Sequence, residues 1–159
     1  MNQAAFPRAD RWIWTVGCGH RNMVCASSAE DKLLIHELAH WFTYEWCSRR
    51  GIDASSLPNY IIEGIAEATC ASEEDANDAI YSRLQAVSWA EKKCLAGSIQ
   101  GVMQYPVGRS FVSYLVETLG PGGFLGTLRD WSLRPTAMID RYEGEWRASL
   151  GLSANGSNK

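Results

Sequence analysis

The stretch that most restricts what this chain can become is LLIHELAHWFTYEW, residues 33–46. It sets two of the chain's three histidines, His36 and His40, four residues apart inside an apolar run, with Glu37 beside the first. Upstream, SSAE makes a capping box: Ser27 bonds the amide at Glu30 while Glu30 reaches back, opening a helix that runs to about Arg50 before Gly51 stops it. On that helix residues four apart lie one turn apart on one face, so both imidazoles can aim at one point at the reach a Zn²⁺ ion requires. Glu37 lies about 100° round the axis, out of the ligand plane yet able to reach a water at the metal. The same pair also fits a core helix whose imidazoles are satisfied by protein groups, and the motif by itself leaves both readings open.

A catalytic zinc takes three protein ligands, so the third must come from another part of the fold. DASSLP reads as a loop, and Pro58 suits the first turn of a second helix, PNYIIEGIAEATCA, with Ile61, Ile62, Ile65 and Ala66 at helical spacing. Glu63 and Glu67 share another face of it. A crossed helix pair can carry Glu63 to the two histidines, and Gly64, which costs about 1 kcal/mol relative to alanine in a helix, predicts close approach of those two helices at the metal. Glu67, one turn on, is placed to accept a ligand histidine's outer N–H and fix its tautomer. Burying Glu37 in such apolar surroundings without a metal or another cation would be costly.

The remaining chain bounds the setting. At 159 residues it has room for one domain with a real core, here 1–151, followed by a flexible tail at 152–159. A hydrophobic fraction of 46%, a charged fraction of 21% and a net charge of -3 describe a globular protein with no nucleic-acid partner. No apolar run approaches the roughly 20 residues of a membrane span, and MNQAAFPRADRWIW is no signal peptide. The expected location is therefore cytoplasmic, or secreted if the N-terminus is truncated. Seven tryptophans and six tyrosines predict an aromatic core or aromatic-lined grooves. The five cysteines include no C-x-x-C pair and read as free thiols, a Cys70–Cys94 bridge being the alternative in a secreted protein. Strands are expected at 11–16 and 22–26 around GCGHR, whose His20 reads as a surface turn residue. Further helices are expected at about 73–96, with Ile80, Leu84, Val87 and Trp89, at 109–119 up to the GPGG stop, and over FLGTLRDW and AMIDRYEGEWRASL. The loop 97–108 would separate the third helix from the fourth. The fold class is α+β, mostly helical, with a small N-terminal β element in front of the active-site helix.

HELAH, LPNYIIEGIAEA and YPVGRSFVSYLVETLG, taken in this order, resemble the gluzincin zinc metallopeptidases, in particular the small bacterial peptidase-MA-like domains, and more distantly the zinc aminopeptidases and thermolysin. The resemblance runs from about Ser27 to the EGEWRASL segment. It implies a zincin-like fold with one catalytic Zn²⁺ held by His36, His40 and Glu63, with Glu37 as general base. Glu67 matches the acidic partner of a ligand histidine in thermolysin. In the aminopeptidase branch a tyrosine in a Y-x-x-G pattern donates to the oxyanion, which implies that role for Tyr105. A phenol suits it, being a neutral donor at pH 7. Packing in a loop is the other reading of Tyr105, and Tyr114 is expected in the core.

Two departures matter. The aminopeptidases' G-x-M-E-N element has no counterpart here, so the expectation is an endopeptidase acting on a peptide or protein. Zincins also place several strands before the metal helix where this chain has room for about two, so it is either a minimal domain or part of a longer protein. In zincins such a strand lines the cleft, which implies that 22–26 pairs with an extended substrate. The alternatives are an inactive zincin-fold binding module and a zinc hydrolase of a non-peptide amide. Neither the substrate nor the oligomeric state is legible.

Overall fold

The computed structural model describes residues 14–18, 21–25, 31–70, 76–96, 99 and 101–153, giving the backbone alone for 14–18, 21–25, 31–33 and 76–79. The capping box, His20 and most of the tail lie outside these residues. Trp14–Cys18 (β1) and Arg21–Cys25 (β2) pair antiparallel, Trp14 opposite Cys25. The body of the fold is five helices: α1 (Asp31–Ser48), α2 (Asn59–Cys70), α3 (Ala76–Ala90), α4 (Gln104–Leu133) and α5 (Pro135–Ser149). Among the described residues no helix is long and apolar enough to cross a membrane.

α2 packs on both α1 and α4, and α3 and α5 pack on α4. The link from α1 to α2 is tightly specified. Gly51 takes a left-handed φ of 63°, which ends α1, and Asp53 caps a single 3-10 turn (Ala54–Ser56) by accepting from the Ser55 amide at 3.0 Å. Pro58 then accepts from the amides of Ile61 and Ile62 and starts α2, as its fixed φ favours. α2 turns Ile61, Ile62 and Ala66 into the core.

The aromatic residues form a core. Phe111 on α4, fully buried, meets Trp131 edge-on at 5.7 Å between ring centroids, Trp146 at 5.4 Å and Tyr60 of α2 at 6.2 Å. Each such pair adds about 0.5–1.5 kcal/mol beyond the area it buries. Tyr114 is only half-buried, stacking on Phe111 and donating its hydroxyl to Glu145 on α5.

Three expectations about the helices need correction. Residues 104–108 are not loop: α4 begins at Gln104 after a 3-10 turn (Gly101–Met103), so Tyr105 and Gly108 are helical. Pro106 is harmless there, because an amide in the first helical turn has no intrahelical acceptor to lose. α3 ends at Ala90 instead of near 96: the buried Arg147 guanidinium of α5 takes the carbonyls of Ala90 and Lys93, and the Glu143 carboxylate accepts from the Leu95 amide at 2.8 Å. Its buried residues are Ala86, Trp89 and Ala90, whereas Ile80 and Leu84 are 59% and 62% exposed. The expected stop at GPGG is found: Gly120, at φ 71° and ψ 160°, breaks α4 there, and Pro121 starts its second helical segment, which runs to Leu133. Cys47 and Cys94 carry unbridged thiols, so the Cys70–Cys94 bridge is not formed.

Candidate metal centre

α1 turns Ala39, His40, Thr43 and Cys47 inward, with His36 and Glu37 half-buried along the same side. α2 presents Glu63 and Glu67 to it. The result is a triangle of donor atoms: His36 Nε2 and His40 Nε2 lie 3.1 Å apart, and Glu63 Oε2 is 3.4 Å from each. A tetrahedral zinc with bonds of about 2.0–2.1 Å needs donors roughly 3.3 Å apart, which is the edge of this triangle.

The outer atoms are arranged to the same end. His36 Nδ1 donates to Glu67 Oε1 at 3.1 Å, which fixes the tautomer and leaves the Nε2 lone pair aimed at the triangle. Glu63 Oε2 is buried and has no hydrogen-bond partner among the described residues. A proton can bridge one edge of the triangle; a buried carboxylate oxygen facing two imidazole nitrogens at equal distance is satisfied all round only by a cation at the centre. The residues present thus fit a single Zn²⁺, a borderline-soft ion that takes two imidazoles and a carboxylate together.

Without metal, the same groups shift one another. Burial disfavours a charged His36, but the facing Glu63 carboxylate and the Glu67 carboxylate bonded to Nδ1 overcome it and raise its pKa from 6.5 to about 9. Burial also opposes ionised Glu63, yet the two imidazoles facing its Oε2 at 3.4 Å hold its carboxyl at about 2. His36, with its folded pKa raised, stabilises the metal-free protein fully below pH 6.5, and that contribution is lost as pH rises through about 9. Glu63, with its folded pKa lowered, contributes above its ordinary 4.5 and loses this as pH falls through about 2. Chelated protein should therefore show a falling melting temperature from pH 6.5 to 9, and zinc-loaded protein should not, because the metal takes the neutral imidazole. Thermal melts with and without chelator across this range check it; equal slopes would contradict it.

The other site residues fall as follows. Glu37 sits next to His36 on α1, half-buried. Tyr105 comes to the His36 end of the triangle from α4, its ring centroid 6.3 Å from the imidazole and its side chain 37% exposed. Gly64 does mark a close helix approach, but with α4 and not with the metal helix: a Cβ there would lie 2.4 Å from the carbonyl oxygen of Gly108. Gly108, the glycine of the Y-x-x-G pattern, is its counterpart, with Tyr60's carbonyl oxygen 2.2 Å from where its own Cβ would be. Sequence reasoning missed two residues, Tyr44 and Asn59. With His40, Ile62 and Glu63 they line an open pocket of about 230 Å³ at the His40 end. Spacing alone could have found them, since Tyr44 stands one helical turn from His40 and Asn59 one turn from Glu63.

No family model matches the chain, and neither a curated protein nor a solved structure matches it.

Proposed function

We propose that the protein is a zinc-dependent peptidase of the gluzincin type that hydrolyses internal peptide bonds of a peptide or protein substrate. The observation that carries this reading is the donor triangle of His36, His40 and Glu63, with the buried, unbonded Oε2 of Glu63 at one corner. His36 and His40 would hold the ion through Nε2 and Glu63 through Oε2. Bound zinc supplies a Lewis acid that acidifies water and polarises a carbonyl.

The chain's own groups account for the rest. The Glu37 carboxylate takes the proton released as water adds to the substrate carbonyl, then delivers it to the leaving amine nitrogen. Glu67 keeps the His36 proton on Nδ1, so Nε2 stays a donor of its lone pair. Tyr105 Oη, on the His36 side, donates to the carbonyl oxygen as negative charge develops there. A non-hydrolytic zinc site has no use for a carboxylate beside its first ligand, which is why Glu37 favours the enzyme over a binding module.

The test is the zinc content of purified protein together with its action on a broad library of blocked peptides, read by mass spectrometry. One zinc per chain and internal cleavages are expected. Stoichiometric zinc with no peptide cleaved would sink the peptidase reading and leave a binding module or an amidase of another substrate.

A further inference from the structure

The pocket beside the triangle is bounded by two of the three ligands, His40 and Glu63, and by three residues that hold no metal: Tyr44, Asn59 and Ile62. Their placement follows from helical geometry. Tyr44 stands one turn beyond His40 on α1, and Asn59 opens α2 one turn before Glu63, so each polar group is stacked on a ligand of its own helix. Ile62 supplies an apolar wall.

Neither the Tyr44 phenol nor the Asn59 carboxamide makes a hydrogen bond among the described residues, whereas Tyr114 bonds Glu145 and Thr43 bonds a backbone carbonyl. Both line the cavity. Among the described residues no lysine or arginine lines the pocket, so its side chains offer no charged partner to a substrate. Tyr105 stands at the opposite, His36 end and is not part of the lining.

We infer that this pocket is the subsite for the reacting acyl group of a neutral peptide segment, with Tyr44 donating to the scissile carbonyl oxygen and Asn59 to the neighbouring backbone carbonyl. The inference rests on the peptidase reading and deepens it: Tyr44, on the His40 side, is a second oxyanion donor beside Tyr105 on the His36 side. A phenol there costs no rearrangement as charge develops, while a carboxamide one turn before Glu63 binds ground state and transition state alike. Ile62 limits the side chain beside the carbonyl to an apolar one of modest size.

The experiment uses zinc-loaded protein, a peptide it cleaves, and a blocked phosphinic peptide that imitates the tetrahedral carbonyl. Tyr44→Phe should lower kcat about a hundredfold with KM nearly unchanged, and weaken the phosphinic peptide by a comparable factor. Asn59→Ala should instead raise KM about tenfold with kcat largely kept. Zinc content and melting temperature should match wild type in both, since Tyr44 loses one hydroxyl and Asn59 is exposed. Tyr114→Phe, on the α5 side, serves as the control and should change neither constant. If Tyr44→Phe keeps both kcat and phosphinate affinity within about twofold, the pocket assignment is overturned while the peptidase reading stands. If wild-type protein neither cleaves peptides nor binds the phosphinic peptide, both are overturned.

Discussion

Glu63→Ala should strip the protein of its zinc, whereas Glu37→Gln should keep the metal and lose hydrolysis. Glu63 Oε2 is the one anionic corner of the triangle, 3.4 Å from each imidazole nitrogen. Removing it leaves two neutral donors that also serve a proton. Loss of an outer partner such as Glu67 weakens metal binding by about 10–100-fold, and loss of a direct ligand should exceed that. Dialysed Glu63→Ala should accordingly carry well under one zinc per chain, as should His36→Ala and His40→Ala. Glu37 lies on the same helix but outside the triangle, so its amide isostere disturbs no ligand. On the proposed mechanism it removes proton transfer, worth about 10²–10⁴-fold in rate. The two variants separate holding the metal from using it. Stoichiometric zinc in Glu63→Ala would refute the ligand set, and full activity in Glu37→Gln would move the base elsewhere.

Two edges of the candidate site were legible in the sequence, because helical periodicity sets His36 on the same face as His40 and Glu63 on the same face as Glu67; that α2 carries Glu63 to the histidines depends on how the two helices cross, which periodicity does not give. The partner helix of Gly64 was not legible. A glycine in a helix announces that something comes close, but the sequence gives no direction around the axis for what that is. Tyr105 was misplaced into a loop because Y-P-V-G carries two residues that read as breakers, while Pro106 in a first turn and Gly108 at a helix crossing are both at home in α4. The outward turn of Ile80 and Leu84 was hidden for another reason. Pattern reading assigns large apolar residues to the core, and α3 packs instead through small Ala86 and Ala90 with Trp89. Tyr44 and Asn59 escaped because they belong to no motif; only their one-turn offset from His40 and Glu63 marks them.

Gly108→Ala and Gly64→Ala should each destabilise the protein by about 3 kcal/mol or more, beyond the usual 1–3 kcal/mol of overpacking. A methyl at Gly108 would lie 2.2 Å from the Tyr60 carbonyl oxygen and 3.1 Å from the Cα of Gly64. One at Gly64 would meet the carbonyl oxygen and carbon of Gly108 at 2.4 and 2.5 Å, and Val112 Cγ2 at 2.7 Å. All but the last are backbone atoms, which no rotamer change can move, so α2 and α4 would have to part by roughly an ångström to regain ordinary carbon contact. At about 2–4 °C per kcal/mol for a chain of this size, the melting temperature should fall by about 6–12 °C. Helix propensity taken alone predicts the opposite sign, a gain of up to about 1 kcal/mol for alanine. Gly126, in the second half of α4 with nothing within 4 Å of its Cβ position, is where that gain should appear. The three variants together therefore separate propensity from packing within one protein, and a stabilised Gly108→Ala would remove the close crossing from the account. The crossing also bears on the site. Glu63 precedes Gly64, and Tyr105 lies one turn before Gly108, so parting α2 from α4 displaces one corner of the donor triangle and the Tyr105 ring together. Zinc binding opposes that displacement by mass action, so added zinc should restore part of the melting temperature in Gly64→Ala, and metal-free protein should show the larger loss.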